Sequence, residues 1–151
     1  LSLGQWCTDL RIENDLKRRE PLPSTGDDRI SVVHVDDDSD ILAIAKTALE
    51  VLGSFSVTSF SSGGAALKEL PSLSPDLIIL DLSMPEMDGR ETFCGIKKIT
   101  ALEGVPIVFL TAENTPAVQR ELIALGATQV ISKPFDPLEL HLEISKYVAS
   151  A

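Results

Sequence analysis

The chain has 151 residues, 44% hydrophobic and 24% charged, which suits one soluble domain with a real hydrophobic core. Its net charge of -10 argues against direct nucleic-acid binding, because phosphate contacts need Lys and Arg. No apolar run is long enough to span a bilayer, and the start lacks a basic region followed by an apolar run, so neither a membrane span nor a signal peptide is expected. Cys7 and Cys94 make no disulfide framework, so a reducing, cytoplasmic setting is expected. Leu1 is not a normal initiator, which fits either a fragment of a longer protein or a misassigned start.

Residues 1–28 read as an N-terminal extension and linker, and 29–151 as the domain proper. Leu3, Trp6, Cys7 and Leu10 fall at helical spacing, and Leu16 follows in a charged stretch. A short helix is expected there. Pro21 to Asp28 reads as a linker. Two readings of the extension stand side by side: a mobile tail, or an arm that docks on the domain or on a second copy. Trp6, the only tryptophan, favours some burial.

From Ile30 onward, strand and helix patterns alternate. Ile30 to Val35 is the first strand. Ser39 or Asp38 caps a helix whose apolar face is Ile41, Ala45, Ala48, Leu49 and Leu52, and Gly53 ends it. Phe55 to Phe60 is the second strand and Gly63 to Leu70 a short helix. Asp76 to Leu80 is the third strand, apolar in the manner of a central parallel strand. A helix near Asp88 to Thr100 follows, with Phe93 and Ile96 inward. Pro106 to Leu110 is the fourth strand. Thr115-Pro116 opens a helix that stops at Gly126. Gln129 to Ser132 is the fifth strand. Asp136-Pro137 opens the last helix, with Leu140, Ile144, Tyr147 and Val148 on one face.

Five strand–helix units in series imply an α/β fold: a doubly wound, five-stranded parallel sheet with five helices. In the strand order 2-1-3-4-5, the first and third strands are neighbours and their following loops diverge to leave a crevice. That order brings Asp36, Asp37 and Asp81 together, with Thr111 and Lys133 at the next two strand ends. Clustered carboxylates repel, and a divalent cation resolves the repulsion. Mg²⁺ favours oxygen ligands and often bridges carboxylate and phosphate. Lys133 adds a positive charge, and Thr111 a hydroxyl. An Asp carboxylate can attack phosphorus and form an aspartyl phosphate, and Asp81, central in the set, is the candidate nucleophile. Lys133-Pro134 is a place for a cis peptide that would aim Lys133 at the crevice.

The stretches Val35-Asp36-Asp37-Asp38-Ser39, Leu80-Asp81-Leu82-Ser83-Met84-Pro85-Glu86-Met87-Asp88-Gly89, Leu110-Thr111-Ala112 and Ser132-Lys133-Pro134-Phe135 come in order on the expected strands. With them, residues 30–149 resemble the receiver domain of two-component response regulators, a flavodoxin-like fold. The resemblance implies that Asp81 is the phosphoacceptor. It implies that Asp37 coordinates Mg²⁺ (or Mn²⁺) directly, that Asp36 helps to position it and that the Ser83 backbone carbonyl is a further ligand. Thr111 and Lys133 would contact the phosphoryl group. The donor would be the phosphohistidine of a sensor histidine kinase or a histidine phosphotransfer protein; small acyl phosphates also serve in the family. Output would pass to a downstream protein or to a covalent output domain outside this chain. The fourth helix, fifth strand and fifth helix would be the partner or homodimer face. Ser83 and Glu113 flank the phosphoryl site in the family. One position departs: the family usually has Tyr or Phe three residues before the lysine, and here it is Val130, which cannot make the family's ring movement.

Other residues carry plainer expectations. Asp38, Asp40 and Asp88 are caps or surface groups. His34 is structural, His141 lies on a solvated helix face, Cys94 is a small core-like residue, and Met84 and Met87 pack a loop. Two other functions were weighed. A haloacid-dehalogenase-like phosphohydrolase also uses an Asp nucleophile but wants a second Asp two residues on, where this chain has Ser83. A flavodoxin-like nucleotide binder wants a Ser/Thr/Gly-rich loop after the first strand, where this chain has carboxylates.

Overall fold

A computed structural model describes residues 28–148. The expected N-terminal helix, Trp6 and Cys7 lie outside the described residues. Ile30–Val35 forms β1, Ser39–Leu52 α1, Phe55–Phe60 β2, Gly63–Glu69 α2, Leu77–Asp81 β3, Gly89–Lys97 α3, Ile107–Thr111 β4, Pro116–Leu125 α4, Gln129–Ser132 β5 and Leu140–Ser145 α5. Short 3₁₀ turns follow α2 and α3 at Leu70–Ser72 and Thr100–Leu102. All pairings are parallel, in the order β2-β1-β3-β4-β5.

The sheet is covered on both faces, and the strand period of two decides which side chain goes where. In β3, Ile78 and Leu80 join Ala66, Leu70, Phe93, Ile96 and Leu122 beneath α2, α3 and α4. The alternate residues Leu77 and Ile79 join Ala45, Leu49, Leu140 and Ile144 beneath α1 and α5. Every residue of β3 and β4 is buried, as strands central to a two-sided fold must be.

Helix starts follow local chemistry. Asp38 caps α1 by accepting from the backbone N–H groups of Asp40 and Ile41. Asp88 and Glu91 form a reciprocal capping box on α3. Thr115 caps α4, with Pro116 in its first turn.

Several expectations need correction. β3 and β4 each lie one residue later than the apolar pattern suggested, so Asp81 and Thr111 are the final residues of their strands. The regular helix α5 begins at Leu140. The Asp136 carboxylate accepts from the Leu138 N–H, and its carbonyl accepts from Glu139 and Leu140, so residues 136–139 form a turn first. Gly53 is not a left-handed cap: its φ is -122°, extended backbone. Glycine is needed because a Cβ would sit 2.7 Å from the Phe55 ring. Cys94 is exposed. His141 is half-buried, its Cβ against Gly53. Leu52, assigned to the apolar face of α1, is largely exposed.

Phe109 is fully buried at the centre of the larger core and stacks on Phe93, with ring centroids 5.8 Å apart. Replacing it by alanine opens a cavity the parallel strands cannot close. Phe109→Ala is expected to lower unfolding free energy by about 3–5 kcal/mol in a urea titration.

Candidate functional site

The carboxyl ends of β1, β3, β4 and β5 meet in one cleft of about 410 Å³, lined by Asp36, Asp37, Asp81, Ser83, Thr111 and Lys133, with Asp38, Ala112 and Glu113 at its rim. Every residue expected from the sequence is there. The register explains why. Val35 of β1 pairs with Leu80 of β3, so Asp36 and Asp81 extend from adjacent strands at one level. Thr111 pairs with Ser132, which places Lys133 one step beyond. The Lys133 N–H then donates to the Thr111 carbonyl at 2.9 Å and fixes that step.

Asp36 is fully buried. Its Oδ1 accepts from the Asp38 N–H at 2.9 Å, and its Oδ2 lies 2.8 Å from Lys133 Nζ without an aligned hydrogen bond. Asp81 is almost as buried, and its Oδ1 accepts from Lys133 Nζ at 3.1 Å. Asp37 is exposed at the rim. One carboxylate oxygen from each of Asp36, Asp37 and Asp81 lies within 4.8 Å of the others. Three carboxylates therefore cluster with one ammonium paired to two of them, Asp36 and Asp81. The set is all oxygen and carries more carboxylate charge than Lys133 offsets, which fits a hard divalent cation. Lys133–Pro134 is cis.

Burial raises the Asp81 pKa to about 6, helped by the charges of Asp36 and Asp37 and opposed by Lys133. Burial pulls the Lys133 pKa down, but hydrogen bonds and attraction from Asp36 and Asp81 outweigh it, so the net shift is upward. The Thr111 hydroxyl accepts from the Glu113 N–H at 3.0 Å, which leaves its own proton free to be donated into the cleft.

Two features beyond the expected residues shape the cleft, and a third lies beneath it. Gly89 packs so closely under the strand end that a Cβ would lie 2.3 Å from the Asp81 carbonyl and 2.7 Å from Leu82 Cα. Its N–H donates to the Leu82 carbonyl at 2.7 Å, which closes the loop after Asp81. The Met-Asp-Gly run was the available signal. The Asn114 side chain donates to the Ser132 hydroxyl and ties the loop after β4 to the end of β5. No sequence pattern marks that pair. His34, two residues below Asp36, is fully buried and neither ring nitrogen has a hydrogen-bond partner. Burial lowers its pKa to about 4, against Asp36 and with Lys133. The imidazole is therefore neutral at physiological pH, a structural role as expected.

Comparison with known proteins decides the family. The family described as "Response regulator receiver domain" matches residues 32–145. The chain belongs to the response regulator receiver domain family. Among curated relatives, a probable transcriptional regulator of Cyanidium caldarium, ycf27, is 36% identical over 135 residues, covering 89% of this chain and 49% of that protein. The response regulator SaeR of Staphylococcus epidermidis is 37% identical over 116 residues, covering 76% of this chain and 48% of that protein. The chain thus spans about half the length of the curated relatives it matches. Among solved structures, the Vibrio cholerae chemotaxis protein CheY4 superposes with a TM-score of 0.74 at 31% identity, covering 80% of this chain and 99% of that one. The flavodoxin-like fold with strand order 2-1-3-4-5 is that of the receiver domains. Among the described residues, no helix is long and apolar enough to cross a membrane.

The two shifted groups oppose each other as pH changes. Asp81 titrates near 6 when folded against 3.8 unperturbed, so it favours the fold fully below pH 3.8 and that contribution is lost as pH rises through 6. His34 titrates near 4 when folded against 6.5, so its contribution is present above pH 6.5 and lost as pH falls toward 4. Without divalent cation, Asp81→Asn is expected to stabilise the domain at pH 7 by on the order of 1–3 kcal/mol. It should also expose the His34 slope, so that the variant loses stability more steeply than the parent between pH 6.5 and 4. Chemical denaturation across that range is the check. Equal stability at pH 7 and parallel pH profiles would contradict the charge assignment.

Proposed function

We propose that this receiver domain is a phosphorylation-dependent signalling switch, with Asp81 as its phosphoacceptor. The observation that carries the reading is the gathering of the Asp36, Asp37 and Asp81 carboxylates at one point, with Lys133 paired to Asp36 and Asp81. The domain is taken to run over residues 29–151.

Asp36, Asp37 and Asp81, with the Ser83 backbone carbonyl, would hold Mg²⁺ or Mn²⁺. Bound there, the ion offsets carboxylate repulsion and the charge on a phosphoryl group's oxygens. Above pH 6 the Asp81 carboxylate is mostly ionised, as a nucleophile must be. Its oxygen attacks phosphorus of a phosphohistidine on a sensor histidine kinase or histidine phosphotransfer protein. The P–N bond breaks and its electron pair returns to the imidazole. Lys133, already 3.1 Å from Asp81, shifts its charge to a phosphoryl oxygen. Thr111 donates its free hydroxyl proton to another. The chain's only reactions are then its own phosphoryl transfer and the hydrolysis that ends it. A haloacid-dehalogenase-like phosphohydrolase is not favoured, because the family matched is the receiver family and Ser83 stands where that enzyme class wants its second Asp.

Val130 is buried at the position where the family usually has an aromatic ring. With no ring to swing, movement of Thr111 passes through its own loop: Glu113, whose N–H it holds, then Asn114, then Ser132. The output surface is the face of α4, β5 and α5. It serves a downstream protein, an output domain outside this chain or a second copy. Ile123 and Leu125 of α4 are exposed.

Beryllofluoride with Mg²⁺, a phosphoryl mimic, is the direct test. It is expected to raise the melting midpoint of the parent and shift the amide spectrum of residues 111–115 and 132–133. Asp81→Asn should abolish both changes, and Lys133→Ala should weaken them at least tenfold in the concentration needed. A response that survives Asp81→Asn rules out Asp81 as the acceptor.

The output face has its own test. Small-angle scattering is expected to show association on beryllofluoride addition, reversed by Ile123→Glu. A monomer unchanged by the mimic would remove the homodimer and leave a different protein as the partner.

A further inference from the structure

An exposed apolar surface of the domain lies away from the Asp81 cleft. A groove of about 520 Å³ runs along α1 beside the turn that precedes α5. Ile44, Thr47, Val51 and Leu52 form one wall, and Pro137 and Leu138 the other. Val51 is 72% exposed and Leu138 67%. Large apolar side chains grouped this way on a soluble domain mark a contact surface.

The chain itself carries a matching segment. Leu3, Trp6, Cys7 and Leu10 fall at the spacing of one face of a helix, and Leu3 to Leu10 is a seven-residue step. Ile44 to Val51 on α1 is also a seven-residue step. At about 1.5 Å per residue each stripe is roughly 10 Å long. The entry point of the chain is equally suited. The Ile30 N–H donates to the Ser54 carbonyl at 2.8 Å, and Arg29 donates to the Phe55 carbonyl. The polypeptide therefore enters the fold beside the C-terminal end of α1, two residues past Leu52. The linker Pro21–Asp28 has eight residues. Extended, it reaches about 26–29 Å, more than the roughly 21 Å length of α1. Reach does not limit docking anywhere along the groove.

We propose that the N-terminal segment folds back on its own domain and seats Leu3, Trp6, Cys7 and Leu10 in the groove between α1 and the turn before α5. Seated there, the arm covers the exposed apolar stripe of α1 and competes with any partner that approaches this side.

Trp6 is the only tryptophan, so its fluorescence in the full chain reports this contact alone. The proposal expects blue-shifted emission, poor quenching by acrylamide, and no dependence on protein concentration. Val51→Asp and Ile44→Asp, at exposed positions, should each shift the emission to the red and increase quenching several-fold. Circular dichroism should show the fold intact in both variants. Water-exposed emission from the parent chain, or emission unmoved by both groove substitutions, overturns the proposal. Burial that appears only as concentration rises overturns it too, in favour of an arm seated on a second copy.

Discussion

Three carboxylates clustered at one point, two of them buried and paired with a single ammonium, set the terms for the whole domain. Asp36 and Asp81 come from neighbouring strands, and each would be more comfortable in water. Burial and mutual repulsion lift the Asp81 pKa to about 6, so the site resists its own full ionisation at neutral pH. Lys133 relieves part of the strain from 2.8 and 3.1 Å. What remains is an excess of negative charge, which would favour a divalent cation, and only with that cation in place could an anionic phosphoryl group approach. The attraction that would serve function and the repulsion that costs stability are the same charges.

Such a site must be held by something that gains from folding elsewhere. The central strands do this. β3 and β4 are buried along their whole length, and their alternate residues feed two separate cores. A parallel sheet aligns its carboxyl ends at one edge, so rigid apolar strands beneath become fixed positions for polar residues above. The loops are then pinned from below. Gly89 lies against the Asp81 carbonyl, and the Lys133 N–H is tied to Thr111. Preorganisation here is mostly backbone geometry, which side-chain repulsion cannot easily undo.

This division explains what could be read from the sequence. The central strands β3 and β4 are visible as apolar runs, and their site residues as the polar groups where those runs end. Asp36, Asp81, Thr111 and Lys133 were therefore found together, and the family resemblance gave them roles. The one-residue offsets at Asp81 and Thr111 were not readable, because the apolar pattern ends before the hydrogen-bonded ladder does. Gly53 looked like a left-handed helix stop, yet it is extended and small because of the Phe55 ring, a contact that only tertiary packing creates. Cys94 and His141 failed for a similar reason: on short helices, which face is covered depends on neighbours distant in sequence. The Asn114–Ser132 pair left no local trace, since the two residues sit 18 positions apart in loop and strand end.

The same reasoning locates where a change at Asp81 would be felt. α1 and α3 each bury several side chains, but α4 buries only Leu122 fully, with Val118 partly covered. Its other tie is the Arg90–Glu121 pair, in which both side chains are over one-third exposed. Exposed pairs of this kind contribute only a few tenths to about 1 kcal/mol. α4 is thus the least anchored of the longer helices, and low-stability elements are those that move. It is also joined directly to Thr111 by the loop that holds Glu113 and Asn114. A pull of a few tenths of an ångström on the Thr111 hydroxyl acts on the segment least able to resist it. In a chain with Val130 in place of a movable ring, weak anchoring of α4 would supply the compliance that an aromatic switch gives elsewhere in the family.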